Sequence, residues 1–407
     1  MHIVILTENF PPERNASASR IHERARWWVR WGHQVTVVTS FPNFPEGRLF
    51  EGYRNDWYGE ETIDGIHVIR VKTFIAANTG FGKRIADFLS FMATGSVAGV
   101  FRTEPDVVLG NSPQFFAGVA GGIVALLRRR PFVFEIADLW PHSVVGVGAM
   151  KPGLAITLAE KLELELYRRA QAVVALTPAF KLDLMRRGVP GDKVHVIVNG
   201  VELERYKPIP RDESLGASLG LRGKFVVGYI GTLGMAHALE NVLHAAQRLR
   251  DVPEVQFLFV GPGAAREALI AERDRLSLAN VHFVPSQPKE IIDRYWSLCD
   301  VALVHLKNDP VFSTVIPSKI FEAMAMGIPV LLAAPRGEAS SIIDETGAGI
   351  VVDAERPEVL ADAVRSLRAD PARLRELAAV SLSAAPSYTR ERQARLVLDV
   401  LQRAADR

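Results

Sequence analysis

Short apolar runs rich in β-branched residues recur along this chain, each followed by a polar or glycine-containing loop and often by a helix pattern. The runs at 3–6, 35–39, 68–71, 107–109, 132–135 and 172–176 are close to continuously apolar, which suits strands buried on both faces. Helix patterns such as 17–31, ending at Gly32, and 151–170 supply the cover those faces need. The order restarts after 200–223, a stretch holding Pro208, Pro210 and several glycines that reads as an interdomain connection. Further runs follow at 225–230, 255–260, 281–284, 301–305 and 330–333. The pattern predicts an α/β protein of two doubly wound, Rossmann-like domains in tandem, facing a cleft. Ligands of such sheets bind outside the carboxyl ends of the strands, so the loops after the runs are the places to look for chemistry.

Composition removes several alternatives. With 48% hydrophobic and 23% charged residues among 407, disorder and coiled coil are excluded as the main state. A net charge of +2 gives no global field for nucleic acid. Cys299 is the single cysteine, which excludes an intramolecular disulfide and a cysteine-rich zinc site and fits a reducing cytoplasm. The start of the chain lacks a basic region and meets Glu8 too early for a signal peptide. The uncharged stretch 107–127 is long enough to span a membrane, but Gly110, Asn111, Ser112 and Pro113 break it into a strand, a loop and a buried helix. The basic clusters Arg128-Arg129-Arg130 and Lys83-Arg84 read either as a solvated face or as peripheral contact with anionic lipid on the inner membrane face. Trp27, Trp28 and Trp31 have the spacing of a core-facing helix, with an interfacial anchor as the other reading.

The segment 313–330 is the most informative. Pro317 and Ser318 suit a helix start, 320–326 a short helix, and Gly327 its end. A helix N-terminus beside Lys319 suits a diphosphate, and Glu322, one turn on, is placed to accept hydrogen bonds from ribose hydroxyls. A surface lysine with a first-turn glutamate is the plainer alternative. Gly231-Thr232 and Gly261-Pro262-Gly263 each follow a strand and would let the backbone approach a phosphate, while Arg266 could reach one. Neither loop has Walker spacing or a full dinucleotide fingerprint. In the first half, Asp138, Trp140 and His142 follow a strand and could grip a sugar, or else Trp140 packs and His142 caps. Asn15, Ser17, Ser19 and Arg20, after the first strand, could bond a polyhydroxylated or anionic acceptor. No metal-ligand cluster is present, so no catalytic metal is expected.

Taken together, Phe10-Pro11-Pro12, Gly32-His33-Gln34-Val35, the run from Ala172 to Pro178, Asn199-Gly200, Gly231-Thr232, the loop from Gly261 to Arg266 and Glu322-Ala323-Met324-Ala325-Met326-Gly327-Ile328-Pro329 resemble glycosyltransferase family 4, the retaining sugar-nucleotide transferases of the GT-B fold. The resemblance covers nearly the whole chain. Asp138-Leu139-Trp140-Pro141 and Pro317-Ser318-Lys319-Ile320-Phe321-Glu322 look most like the O-antigen and capsule branch, such as the fucosamine transferases.

The resemblance implies an acceptor-binding domain over 1–199, a nucleotide-sugar domain over 200–385 and a final helix within 386–407 that returns to the first domain. It implies a donor site lined by Gly231, Thr232, Gly261, Gly263, Arg266 and Pro285, with Ser318 and Lys319 on the diphosphate and Glu322 on the ribose. Asp138 would touch the transferred sugar, and Asp138, Lys319 and Glu322 would carry the catalysis. The donor is expected to be a UDP-sugar, with no metal or other cofactor, and the acceptor a polyprenyl-diphosphate-linked saccharide.

Three departures stand out. Thr314 occupies the place of the family's first paired glutamate, Thr232 and His237 those of an arginine and a lysine, and Asn15-Ala16-Ser17 that of a small glycine loop. The residue at 138 is an aspartate where a histidine is common. Two other functions share part of this pattern: a non-hydrolysing UDP-sugar 2-epimerase, and a sugar-nucleotide-binding partner without catalysis.

Overall fold

The computed structural model describes residues 1–406 apart from residues 14, 45, 76–80 and 140–152. In chain order the first elements are β1 (His2–Leu6), α1 (Ala16–Arg30), β2 (Gln34–Ser40), β3 (Tyr58–Ile63), β4 (Ile66–Val71), α2 (Phe81–Arg102), β5 (Val107–Asn111) and α3 (Phe115–Arg128). Next come β6 (Phe132–Ile136), α4 (Leu154–Arg169), β7 (Ala172–Ala175), α5 (Pro178–Arg186), β8 (Val194–Val196), α6 (Glu213–Ser218) and β9 (Phe225–Ile230). Then follow α7 (Glu240–Arg248), β10 (Val255–Val260), α8 (Arg266–Arg275), β11 (Val281–Val284), α9 (Ile292–Trp296), β12 (Val301–His305) and α10 (Lys319–Ala325). The last are β13 (Val330–Ala333), α11 (Glu338–Thr346), β14 (Gly349–Val352), α12 (Pro357–Ala369), α13 (Pro371–Ala384) and α14 (Arg390–Ala405). The chain divides into two compact units, Met1–Asn199 with Arg390–Arg407, and Gly200–Thr389.

The first unit holds an eight-stranded sheet in the order β3-β4-β2-β1-β5-β6-β7-β8. Every pairing is parallel except β3 with β4, an antiparallel hairpin. That hairpin departs from the expected parallel succession. It turns at Asp64 (φ 50) and Gly65 (φ 78), a dipeptide suited to two left-handed positions in a row. Successive strand residues face opposite sides: Val4 and Leu6 join one core cluster with Phe91, Phe132 and Phe134, while Ile3 and Ile5 join another with Trp28, Val397 and Leu401. Residues 107–127 resolve into β5, a loop and α3. The helix lies close on its strand because both are glycine at the contact: a Cβ on Gly121 would come within 2.9 Å of the Gly110 Cα.

On the other face, α1 carries Trp28 fully into the core, where its indole N–H donates to the Ala394 carbonyl at 2.9 Å and ties α1 to α14. Trp27 and Trp31 are half-buried beside each other, 5.7 Å between rings, with Arg395 over Trp31. The three tryptophans thus take the core-side reading.

The second unit is a parallel sheet ordered β11-β10-β9-β12-β13-β14. Residues 200–223 are less irregular than their composition suggested, since Asp212 caps α6 by accepting from the Leu215 N–H at 2.9 Å. This unit runs on to Thr389, past the boundary expected at 385. Val201 bridges Thr389, and Tyr388 stacks on Phe321 at 4.9 Å, holding the segment there. Among the described residues no helix is long and apolar enough to cross a membrane.

One buried ion network locks α1 to β6. Glu135, fully buried at the end of β6, pairs with Arg24 and, at 3.2 Å, with Arg20. Burial pushes the Glu135 carboxyl up, but Arg24 and Arg20 outweigh it and the group settles below its ordinary range. Replacing Glu135 by Ala strands two buried guanidinium groups. Urea titration should show a loss of about 3–5 kcal/mol. In the parent protein the stabilisation from Glu135 is present above the ordinary value of 4.5 and is lost as pH falls through the lowered one. An Ala variant whose acid and urea midpoints match the parent would refute this assignment.

Candidate active site

The carboxyl ends of β9, β10 and β12 bring together most of the residues singled out in the second half. β9 is the centre from which β10 and β11 extend one way and β12 to β14 the other, the kind of reversal that opens a crevice beyond a doubly wound sheet. Gly231, at φ 138, follows β9, and Gly261, at φ 144, follows β10. A Cβ on Gly261 would sit 2.1 Å from the Gly231 carbonyl oxygen, so the two loops touch backbone to backbone and only glycine fits. Their own amides are taken: Gly231 donates to Val260 at 2.9 Å and Gly261 to Val284 at 3.2 Å. Gly263 packs on the Leu233 carbonyl in the same way. The glycines therefore shape the floor rather than donate to a ligand from these two positions.

Lys319 opens α10 and is 8% exposed. Its Nζ lies 3.4 Å from the centre of the Tyr229 ring and has no hydrogen-bond partner. A Cβ on Gly231 would stand 3.1 Å from that Nζ, so the glycine leaves the space the amine occupies. Tyr229 is fixed by its hydroxyl, which donates to the Thr232 carbonyl at 2.8 Å. Burial lowers the Lys319 ammonium to about 7, with Glu322 pulling the other way. Glu322, half-buried one turn on, accepts from the Trp296 indole at 3.3 Å, which fixes its orientation. Ser318 makes no side-chain cap. The first turn of α10 offers fewer open amides than its sequence suggested, because Ile320 donates to Pro317 at 3.1 Å and Phe321 to Ser318 at 3.0 Å.

His237 and His305 form a reciprocal lock. The His305 Nδ1 is 2.7 Å from the His237 carbonyl, and the His237 Nδ1 is 3.2 Å from the His305 carbonyl. A carbonyl can only accept, so each ring is protonated at Nδ1 and presents Nε2 as an acceptor. Burial holds both well below the usual histidine range, at about 4. Thr232 is exposed, and Thr314 bonds the Val311 carbonyl at 2.9 Å with no carboxylate at that position. Arg266 starts α8 and pairs with Glu267 at 3.0 Å, leaving its buried Nε without a partner. Pro285 is exposed past the end of the edge strand β11.

Tyr229, Trp296 and His305 were not singled out from the sequence. Tyr229 and Trp296 read there as core. His305, a polar residue ending an apolar strand, was the one legible signal.

In the first unit, the side chains expected to hold an acceptor bond largely within the unit. Asn15 caps α1 by accepting from the Ala18 N–H at 2.9 Å, Ser17 accepts from Asn111 at 3.0 Å, and Arg20 donates to Asn111 at 3.1 Å besides pairing with Glu135. Asp138 is partly buried, and burial raises its carboxyl above the ordinary range against the pull of Arg20. Trp140 and His142 lie outside the described residues. Among the described residues no cluster of three or more His, Cys, Asp or Glu is arranged to hold a metal.

Comparison with known proteins agrees with this layout. Residues 15–200 match the family of glycosyl transferase 4-like domains, and residues 212–380 match glycosyl transferases group 1. A colanic acid biosynthesis glycosyl transferase, WcaI, of Escherichia coli strain K12 is 26% identical over 90% of this chain and 91% of its own. A GDP-mannose-dependent alpha-mannosyltransferase of Mycobacterium tuberculosis is 26% identical over 81% of this chain and 78% of its own. The solved structure of Anabaena Alr3699/HepE in complex with UDP and glucose superimposes with a TM-score of 0.74, at 20% identity, over 99% of each chain. This chain is a glycosyltransferase of the GT-B fold, related to the glycosyltransferases of bacterial surface polysaccharides.

Proposed function

We propose that the enzyme moves a hexose or amino-hexose from a UDP-sugar to a polyprenyl-diphosphate-linked saccharide, with retention at the anomeric carbon, as a family 4 transferase close to the fucosamine transferases. The observation that carries this reading is the buried, unpartnered amine of Lys319 beside Gly231, at the carboxyl edge of the second sheet. A diphosphate there would supply the missing anion. Glu322, steadied by Trp296, would take the ribose hydroxyls. The bases available for this reading are the UDP in the HepE structure and the surface-polysaccharide role named for WcaI.

In the transfer step the bond between the anomeric carbon and the diphosphate oxygen breaks and the electron pair leaves with UDP. The acceptor hydroxyl adds to the face the diphosphate has just left, and its proton passes to the departing phosphate oxygen. No strong general base is needed on this path, which suits a site with Thr314 in place of a glutamate. Lys319 would stabilise the charge that develops on the leaving group, with Arg266 and Ser318 alongside. His237 and His305, both neutral, would accept from sugar hydroxyls rather than repel or bind phosphate. Asp138 would contact the transferred sugar from its own unit.

Replacing Lys319 by Met separates a structural from a functional role. The parent buries an amine at a desolvation cost, so the empty variant should melt at the same temperature or higher. Transfer should nevertheless fall by at least about tenfold. Near-normal turnover would overturn the role given to Lys319.

Binding should also be proton-linked. A diphosphate favours the charged amine, while the empty site holds it near about 7. Donor affinity should therefore fall above neutrality by up to about tenfold per pH unit. Calorimetry at pH 8 in buffers of different ionisation enthalpy should register proton uptake, absent in Lys319→Met; no uptake in the parent would refute the linkage.

Thermal-shift measurements with UDP-, GDP- and dTDP-sugars should show the largest stabilisation with a UDP-sugar. A larger shift with a GDP-sugar would reassign the donor. A new sugar nucleotide formed from the donor alone, read by proton NMR, would replace transfer with epimerisation.

A further inference from the structure

Helix α2 lies on the outside of the first unit and has an exposed stripe unlike that of a solvated helix. Positions 86, 89, 93, 97 and 101 follow one face of the helical repeat and are Ala86, Leu89, Ala93, Val97 and Phe101, all exposed. Phe101 is 78% exposed. Between Arg84 and Arg102 the only charged residue is Asp87, which is buried on the other side. Helix α3 packs closely alongside: a Cβ on Gly99 would meet Val124 at 2.6 Å, and Arg128 donates to the Thr103 carbonyl. Its exposed Leu126 and Leu127 therefore extend the stripe. On the far side of α3, where Gly122 meets Leu166 of α4, the leucines at 154, 158 and 162 are exposed at four-residue spacing, Leu154 to 85%.

The charges around this face are mostly of one sign. Lys83 stands at one end of α2 and Arg102 at the other, with Arg129, Arg130 and Lys161 on the neighbouring helices, all exposed. No ion pair among the described residues takes up Arg129 or Arg130, whereas the nearby Glu104 lies 3.9 Å from Arg128. Arg84 is not counted, because it faces the buried carboxyls of Glu8 and Asp87.

We propose that the outer face of α2, α3 and α4 is a docking surface for an anionic lipid bilayer, the apolar stripe entering the headgroup boundary and the cations meeting lipid phosphates. A second copy of the chain is the poorer occupant, since a twofold contact through this face would bring the same cations against one another. With α2 lying flat, its roughly 33 Å length spans the sheet from carboxyl to amino edge, so the carboxyl edge opens at headgroup height, level with a lipid-linked acceptor. The inference rests on the proposed function only for that consequence. Membrane binding itself does not depend on the donor or the acceptor.

Flotation with vesicles of phosphatidylglycerol and phosphatidylethanolamine, against vesicles of phosphatidylcholine, tests it. The parent should favour the anionic vesicles by at least about tenfold and release on raising salt. Val97→Glu with Phe101→Glu, and separately Arg129→Glu with Arg130→Glu, should each weaken binding by at least about tenfold. These positions are exposed, so the variants should keep the parent's melting temperature and its stabilisation by UDP-sugar. Equal flotation of parent and variants, or none by the parent, would overturn the surface. A parent that is dimeric by light scattering, with the dimer broken by Val97→Glu/Phe101→Glu, would assign the face to a second copy instead. Intact flotation without any stabilisation by sugar nucleotides would count against the proposed function and leave the surface standing.

Discussion

Strands that bury both faces leave polar chemistry only at their ends, and that constraint organises both units. In the second sheet every residue of β9, β10 and β12 is buried, so nothing along their length can meet a ligand. What can are the residues just past the carboxyl ends, and there the chain places two glycine loops in backbone contact, a pair of neutral histidines and a lysine held down by the next helix. The glycines are required by that packing: each loop occupies the space where the other's side chain would be.

Two buried charged sites show how differently the same physics can be resolved. In the first unit Glu135 meets two guanidinium groups, and the carboxyl is held ionised. The network is closed, and its effect is to fix α1 against the sheet. In the second unit Lys319 is buried to a similar degree, yet its nearest partner is the face of Tyr229, and its bond capacity is unused. A buried charge without a counter-ion is costly and is retained where a ligand repays it. This contrast, more than the motif around Ser318, separates the site that builds from the site that binds.

Much of the fold was legible because a parallel sheet writes itself as uninterrupted apolar runs, and residues 225–230, 255–260 and 301–305 are β9, β10 and β12. The antiparallel β3 was harder to see. Its sequence, Tyr-Gly-Glu-Glu-Thr-Ile, is exposed on alternate positions, as an edge strand allows, and only the Asp64-Gly65 turn marks it. Of the candidate donor residues, Gly231, Lys319 and Glu322 were readable by residue type and place after a strand. Tyr229 and Trp296 were not, because an aromatic residue inside an apolar run has the same sequence signature whether it fills a core or carries an amine.

By itself the sequence determined the alternation of strand and helix, the two-fold division of the chain and the neighbourhood of its chemistry, since these follow from local periodicity and from the backbone needs of glycine and proline. Only the tertiary structure decided which charges are paired. Arg20 is as polar as Lys319 on paper, but folding sets a carboxylate from a strand more than a hundred positions away beside the one and an aromatic ring beside the other. Pairing depends on distances between residues far apart in the chain, and no local pattern encodes them.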